Sequence, residues 1–265
     1  MNPAARPQGI RRALAAGALV SGAGVALGAR HRRLGALVAI GGMGVAWATV
    51  RPSNPLLGPV ASRGRRERPA AALALAVAPT RDTPAVLDAL GEAGARATFF
   101  VVGEYARNRP DMVRRIHRDG HDLASAGLAA RPIAFRGPYG VARDLRATEE
   151  IVADALGDDL LTRLFLAPDG IRGVATWVGA RHAGYRMVSW SRAVWPAADD
   201  GAAAIAHRAV GGMEPGAVVA IGPSAPNAAA TSALAAAVGD ICRGARGRGL
   251  ELVGIGDLLH EPSAD

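Results

Sequence analysis

The stretch Ala72–Ser125, ALALAVAPTRDTPAVLDALGEAGARATFFVVGEYARNRPDMVRRIHRDGHDLAS, decides how this chain folds. It holds three short apolar runs, Leu73–Ala78, Ala97–Val102 and His121–Ala124, of the kind that form parallel strands buried on both faces. Two amphipathic segments separate them. In the first, Thr83 can cap a helix with Pro84 at its first position, Val86, Leu87 and Leu90 share a face, and Gly94 stops it. In the second, Asn108 or Pro110 begins a helix, Met112, Val113 and Ile116 share a face, and Gly120 ends it.

The alternation continues to the end of the chain. Further strands are expected over Arg163–Ala167, Arg186–Trp190, Ala217–Ile221 and Leu250–Val253. Helices are expected over Arg146–Leu156, Gly173–Ala183, Asp200–Met213 and Asn227–Arg248, with an irregular connection from Ala126 to Asp144. A strand-then-helix pattern repeated about seven times argues for a parallel sheet closed into a barrel, with its site on the loops at the C-terminal strand ends.

Within the opening stretch, Thr83-Pro84-Ala85-Val86-Leu87-Asp88-Ala89-Leu90, Ala97-Thr98-Phe99-Phe100-Val101-Val102-Gly103, Pro110 to Arg115 and Gly120-His121-Asp122 follow one another in a familiar order. In order and nearly in spacing, the stretch resembles the NodB-type carbohydrate (polysaccharide) deacetylases. The resemblance implies an α/β fold, a distorted (β/α)7 TIM-like barrel, and metal-dependent hydrolysis of a carbohydrate N-acetyl group. It also implies a set of site residues, and here the chain departs from the pattern. The family's general-base and metal-binding aspartates fall at Ala76 and Val77, and its two metal-binding histidines at Ala126 and Ala130. Its arginine that orients the base falls at Leu166, and its general-acid histidine at Gly222. None of these side chains can ionise or ligate a metal. The expectation is therefore that no catalytic residue and no metal ligand remains at those positions. A zinc-like ion would be bound only if carboxylates such as Asp122, Asp169, Asp199 or Asp200 had taken over. Asp169, Trp190, Trp195, Arg136 and Tyr139 are the candidate pocket residues. The last two belong to Phe135-Arg-Gly-Pro-Tyr-Gly140, which imitates a family motif but precedes the fourth strand, and a turn that happens to carry Arg136 is the simpler account.

Composition bounds the partners. All 31 basic residues are arginine, and the formal net charge is +8. The arginines are scattered, and three Tyr and four Phe are too few to build stacking platforms, which argues against nucleic acid. The lone Cys242 excludes an internal disulfide.

The chain's start has its own pattern. Two uncharged apolar runs, 13–29 and 34–50, flank the basic cluster Arg30-His31-Arg32-Arg33, and each is 17 residues long. That is the short end of what crosses a bilayer core as a helix. With Trp47 near one end and Gly24 and Gly28 offering a close-packing face, residues 1–50 read as a transmembrane hairpin. A signal peptide or single signal anchor is the competing reading. Residues 51–69, with four prolines and an arginine-rich patch, read as a linker, and 70–260 as the deacetylase-like domain. The functional expectation is a cell-membrane protein, its main domain extracytoplasmic by family analogy, that has lost catalysis and binds envelope glycan or a partner protein. The competing expectation is an active carbohydrate deacetylase with relocated ligands.

Overall fold

Alanine alternates with leucine along strand β1 (Ala70–Ala78), and that alternation divides the interior into two cores. Ala71, Leu73 and Leu75 join the outer core beneath the helices, whereas Ala70, Ala72 and Ala74 belong to the core inside the barrel. Successive side chains of a strand face opposite ways, so a two-residue period writes both cores into one segment. The computed structural model describes residue 54 and residues 57–79, 83–133, 136–158, 161–197, 199–222 and 228–260.

After β1 come α1 (Thr83–Glu92), β2 (Thr98–Val101), α2 (Gly103–Asn108), α3 (Pro110–Arg118), β3 (Asp122–Ser125) and α4 (Pro138–Leu156). The second half holds β4 (Leu164–Leu166), α5 (Val174–His182), β5 (Arg186–Val188), β6 (Arg192–Val194) and α6 (Ala202–Val210). β7 (Val218–Ile221), α7 (Ala228–Gly247), β8 (Glu251–Val253) and α8 (Ile255–Leu259) complete the chain. The strands pair in parallel in the order β5-β4-β3-β2-β1-β7-β6. β8 pairs with Ala70–Ala72 at the lower end of β1, below the stretch that pairs with β2. This is the parallel α/β barrel expected from the alternation, left open between β5 and β6, where no ladder forms among the described residues.

Three elements were not expected. β6 is too short to show a period, α2 is a six-residue turn of helix, and α8 consists of five residues after the last strand. α4 also starts eight residues before the expected Arg146. Pro138 and Gly140 look like breakers in the sequence, but Pro138 sits in the first turn, where a missing N–H costs nothing, behind an extended Gly137.

The 51–69 stretch, expected to be a linker, makes sheet contacts wherever it is described. Ala61 bridges Val188 on the free edge of β5, donating to Met187 O at 3.0 Å and accepting from Ser189 N at 2.8 Å. Arg63 bridges Ala217 and pairs with Glu214, and Gly64 N donates to Gly216 O at 2.8 Å. Ahead of these, the buried Arg172 guanidinium donates to the carbonyls of Asn54 and Gly58. Gly58 has φ +106° and lies flat on Trp177, where an added Cβ would come within 2.3 Å of the indole. The proline-rich stretch thus fills part of the open seam. The apolar runs 13–29 and 34–50 lie outside the described residues. Among those described, no helix is long and apolar enough to cross a membrane.

At the N-terminal strand ends, α8 plugs the barrel with Ile255, Leu258 and Leu259. An ion network fastens the plug. Arg96 donates to Asp257 at 2.8 Å, to Asp122 at 3.0 Å and to Gly120 O at 3.0 Å, while Thr98 Oγ1 accepts from Ile255 N at 2.8 Å. Beside this network lies His121, 5% exposed, its ring 5.3 Å from that of Phe99 and both ring nitrogens without a hydrogen-bond partner. Burial pushes its pKa below the ordinary value, Asp119 opposes that shift and Arg96 adds to it. The folded state therefore binds fewer protons at His121 than the unfolded chain does once pH falls below about 6.5. Stability is full above that value and declines below it. His121→Leu, which removes two unsatisfied polar atoms at similar volume, is expected to hold or raise stability at neutral pH. It is also expected to flatten the slope of urea-unfolding free energy between about pH 6.5 and 5. An unchanged slope in the variant would assign the acid sensitivity to other groups.

Candidate functional site

The C-terminal ends of β1, β3, β4, β5 and β7 converge on one mouth of the barrel, where a (β/α) fold builds its site. The parallel register sets what meets there. Leu75 lies opposite Ile221 and Ala76 opposite Phe100, so the residues that follow β7 are brought beside the end of β1. A Cβ on Gly222 would lie 2.9 Å from Ala76 O and 3.0 Å from Ala76 Cβ. The two strands approach so closely that a side chain at position 222 needs the end of β1 to move.

After β3 the chain is held by its backbone. Ala126 N donates to Val101 O at 2.7 Å, Gly103 N to Gly127 O at 3.0 Å, and Glu104 N to Leu128 O at 2.8 Å. The Gly127 N–H donates to Ser125 Oγ at 3.1 Å, turning the chain out of the strand. Ala126 is buried in the inner core, while Ala130 is exposed beyond the loop. After β4, buried Leu166 faces the inner core, and a 3-10 turn over Pro168–Gly170 follows. Asp169 and Gly170 both take left-handed backbone conformations, at φ 56° and 68°. That geometry lays Gly170 against Trp190, so closely that an added Cβ would come within 2.3 Å of the indole. Trp190 meets Trp195 edge to face, with ring centroids 5.4 Å apart.

Among the described residues, the inner lining of the mouth is therefore mainly apolar. Ala76, Val102, Tyr105, Ala126, Leu166, Trp190 and Trp195 belong to one cluster. Of the five candidate pocket residues, Asp169, Trp190 and Trp195 come together here. Arg136 and Tyr139 do not. Arg136 donates to the buried Asp144 on α4, and Tyr139 stands on the first turn of that helix, 83% exposed, with its ring 6.2 Å from His182. Both were offered as pocket-lining groups, and they stand at the start of α4 rather than in the cluster at the mouth. Tyr105 was missed because α2 looks like a loop in sequence. Its only signal is an aromatic two residues after the Gly that ends the Phe-Phe strand.

The carboxylates that might have taken over metal binding are accounted for differently. Asp122 lies at the opposite, N-terminal end of the sheet, bound to Arg96. Burial raises its pKa, and Arg96 opposes that shift. Asp200 accepts from Ala197 N at 2.7 Å and pairs with Arg208, whose hydrogen bond holds its carboxyl below the usual range. Among the described residues, no three His, Cys, Asp or Glu side chains are grouped so that they could hold a metal ion. Among the described residues, the side chains at the family's ligand positions do not fit the divalent ion that the resemblance implies. Alanine, valine, leucine and glycine offer no lone pair from their side chains.

Comparison with known proteins completes the picture. A polysaccharide deacetylase family model matches residues 63–188. A chitooligosaccharide deacetylase of Sinorhizobium fredii is 29% identical over 144 residues, which cover 54% of this chain and 66% of that protein. The chain covers 62% to 66% of the length of three chitooligosaccharide deacetylases that it matches. Among solved structures, a peptidoglycan N-acetylglucosamine deacetylase superposes with a TM-score of 0.68 at 22% identity, covering 78% of this chain and 95% of that one. A CE4 family pseudoenzyme from Bacillus anthracis superposes at 0.65 and 18% identity, covering 76% of this chain and 68% of that one. The order of the strands, the Thr-Phe-Phe and Gly-His signatures placed on β2 and before β3, and these matches agree: the chain is a relative of the NodB-type polysaccharide deacetylases.

Proposed function

We propose that this chain is a polysaccharide deacetylase-like protein of the cell envelope that does not hydrolyse its ligand and instead binds envelope glycan or a partner protein through the barrel mouth. One observation carries the reading. The strand ends that must supply a base, an acid and metal ligands hold Ala76, Val77, Ala126, Ala130, Leu166 and Gly222 instead. Hydrolysis of an N-acetyl group needs a polarised carbonyl, an activated water and a protonated leaving amine together. The loss is built into the packing as well as the side chains. Leu166 and Ala126 are buried in the inner core, and Gly222 lies against Ala76 without room for a Cβ. The uncharged apolar runs at the start of the sequence and the family's glycan substrates support a membrane-anchored protein with its domain outside the cytoplasm. Trp195, half-buried at the rim beside the buried Trp190, offers an aromatic group against which a sugar ring can pack.

Full-length protein incubated with N-acetylglucosamine oligomers and added zinc or cobalt is expected to release no acetate above a protein-free control. Metal-dependent release that a chelator abolishes would overturn the reading and favour a hydrolase with relocated ligands.

A second experiment separates the lost metal site from the lost acid. The quadruple variant Ala76→Asp, Val77→Asp, Ala126→His, Ala130→His is expected to acquire zinc, toward one ion per chain by elemental analysis, where the natural sequence retains none. It is still expected to be inactive, because Leu166 and Gly222 supply neither an orienting arginine nor a general acid. Zinc retained equally by both proteins would show that the natural chain binds metal elsewhere.

A further inference from the structure

The large hydrophobic side chains most exposed among the described residues are Tyr139, Val174 and Val178, and they are not scattered. All three lie on the packed pair α4 and α5, which meet where Gly179 sits on Pro138 O and Val141. Val174, Val178 and His182 recur every four residues along the outer face of α5, and Tyr139 of α4 continues the stripe by meeting His182 edge to face. Basic side chains edge the stripe. Arg143 and Arg146 of α4 line a groove of about 410 Å³ together with Tyr139 and His182, and Arg181 lies over the half-buried Trp177 ring at 5.8 Å. Glu150 is the one acidic residue lining that groove. Valine, two aromatics and three arginines with one carboxylate are the composition of a surface that rests in a headgroup layer, apolar groups dipping in and cations meeting phosphates.

The path of the chain says which surface this is. Arg172, two residues before α5, holds the carbonyls of Asn54 and Gly58, and Gly58 lies on Trp177 at the edge of the same stripe. The described chain therefore begins, at Asn54, beside α5, and the apolar runs precede that point in the sequence. From this we infer that the α4–α5 face is the surface with which the domain lies on an anionic lipid bilayer. The inference goes beyond the loss of catalysis and would hold for an active enzyme as well. It turns the barrel mouth in a defined direction relative to the membrane.

The test uses the full-length chain. Cys242 is 1% exposed, so a thiol-reactive, environment-sensitive dye can be directed to Val178→Cys, with Arg118→Cys on α3 as a control away from the stripe. The protein is compared in detergent, in phosphatidylcholine vesicles and in phosphatidylcholine vesicles containing phosphatidylglycerol. The Val178 label is expected to lose its accessibility to aqueous iodide only in the vesicles with phosphatidylglycerol, while the control label stays accessible throughout. Each arginine near an anionic surface is worth about fivefold, so Arg143→Glu, Arg146→Glu and Arg181→Glu together are expected to lower the docked fraction by on the order of 100-fold. The reversal is expected to restore iodide quenching although the chain still floats with the vesicles. A Val178 label that remains quenchable on vesicle-bound protein would overturn the inference. So would protection already present in detergent, which would mean that another part of the chain or a second copy covers the stripe. A chain that fails to float with neutral vesicles would count against the membrane anchor, and adding the phosphatidylglycerol vesicles would still read docking on its own.

Discussion

Alanine at the inward positions of β1 is the constraint from which the rest of the structure follows. Ala70, Ala72 and Ala74 leave the middle of the barrel without bulk from its central strand, and interiors pack to crystal-like density. The space is filled from the opposite side and from below. Phe100, Leu164, Leu166, Val188 and Trp190 reach in from β2, β4 and the β5 end, and Ile255, Leu258 and Leu259 of α8 rise from the N-terminal face. Each fully buried large apolar side chain contributes about 1.5–3 kcal/mol. The filling groups therefore outweigh what a polar cluster in the same volume could return once its desolvation is counted.

That packing also explains the character of the mouth. A metal-dependent site needs charged groups in a shallow, hydrated bowl at the strand ends. Here the inner core runs up to Ala126, Leu166 and the Trp190–Trp195 pair without interruption, and the close approach of Gly222 to Ala76 draws β7 against β1. The Asp169–Gly170 turn keeps its left-handed geometry, but what it supports is an indole. The chain keeps the family's framework on β2 and β3, where Thr98 and His121 serve the fold. Thr98 bonds to Ile255, and His121 packs on Phe99.

The sequence was most legible where a period was long enough to count. The apolar run of β1, the 3.6-residue faces of α1 and α3, and Gly94, Gly120 and Gly157, all with positive φ, were readable because local chemistry and tertiary environment agree there. Elements of three to six residues were not readable. β6, α2 and α8 carry too few positions for a pattern, and what fixes them lies far away in sequence: Val219 for β6, Leu128 for α2 and Thr98 for α8. Proline misled twice, at Pro138, where it opens α4, and in the Asn54–Pro69 stretch, whose backbone bonds go to β5 and the start of β7. At the site, the substituted residue types were legible from family spacing alone, since an alanine cannot ligate whatever its surroundings. Which of the remaining polar and aromatic groups share the mouth depended on the helix start that the sequence obscured.

The seam between β5 and β6 has a mechanical consequence. The strip that fills part of it precedes β1 in the chain, so a pull from the N-terminal side acts directly on that strip. The Arg172 clasp on the Asn54 and Gly58 carbonyls stands first in the line of force, and the Ala61 bridge to Val188 stands next. Both must slip before load reaches the ladders of β1. A tether attached there would work like the tab of a zip: tension opens the barrel along one line and leaves the eight-strand sheet intact, so strain on the tether is felt at the wall that bears Trp190.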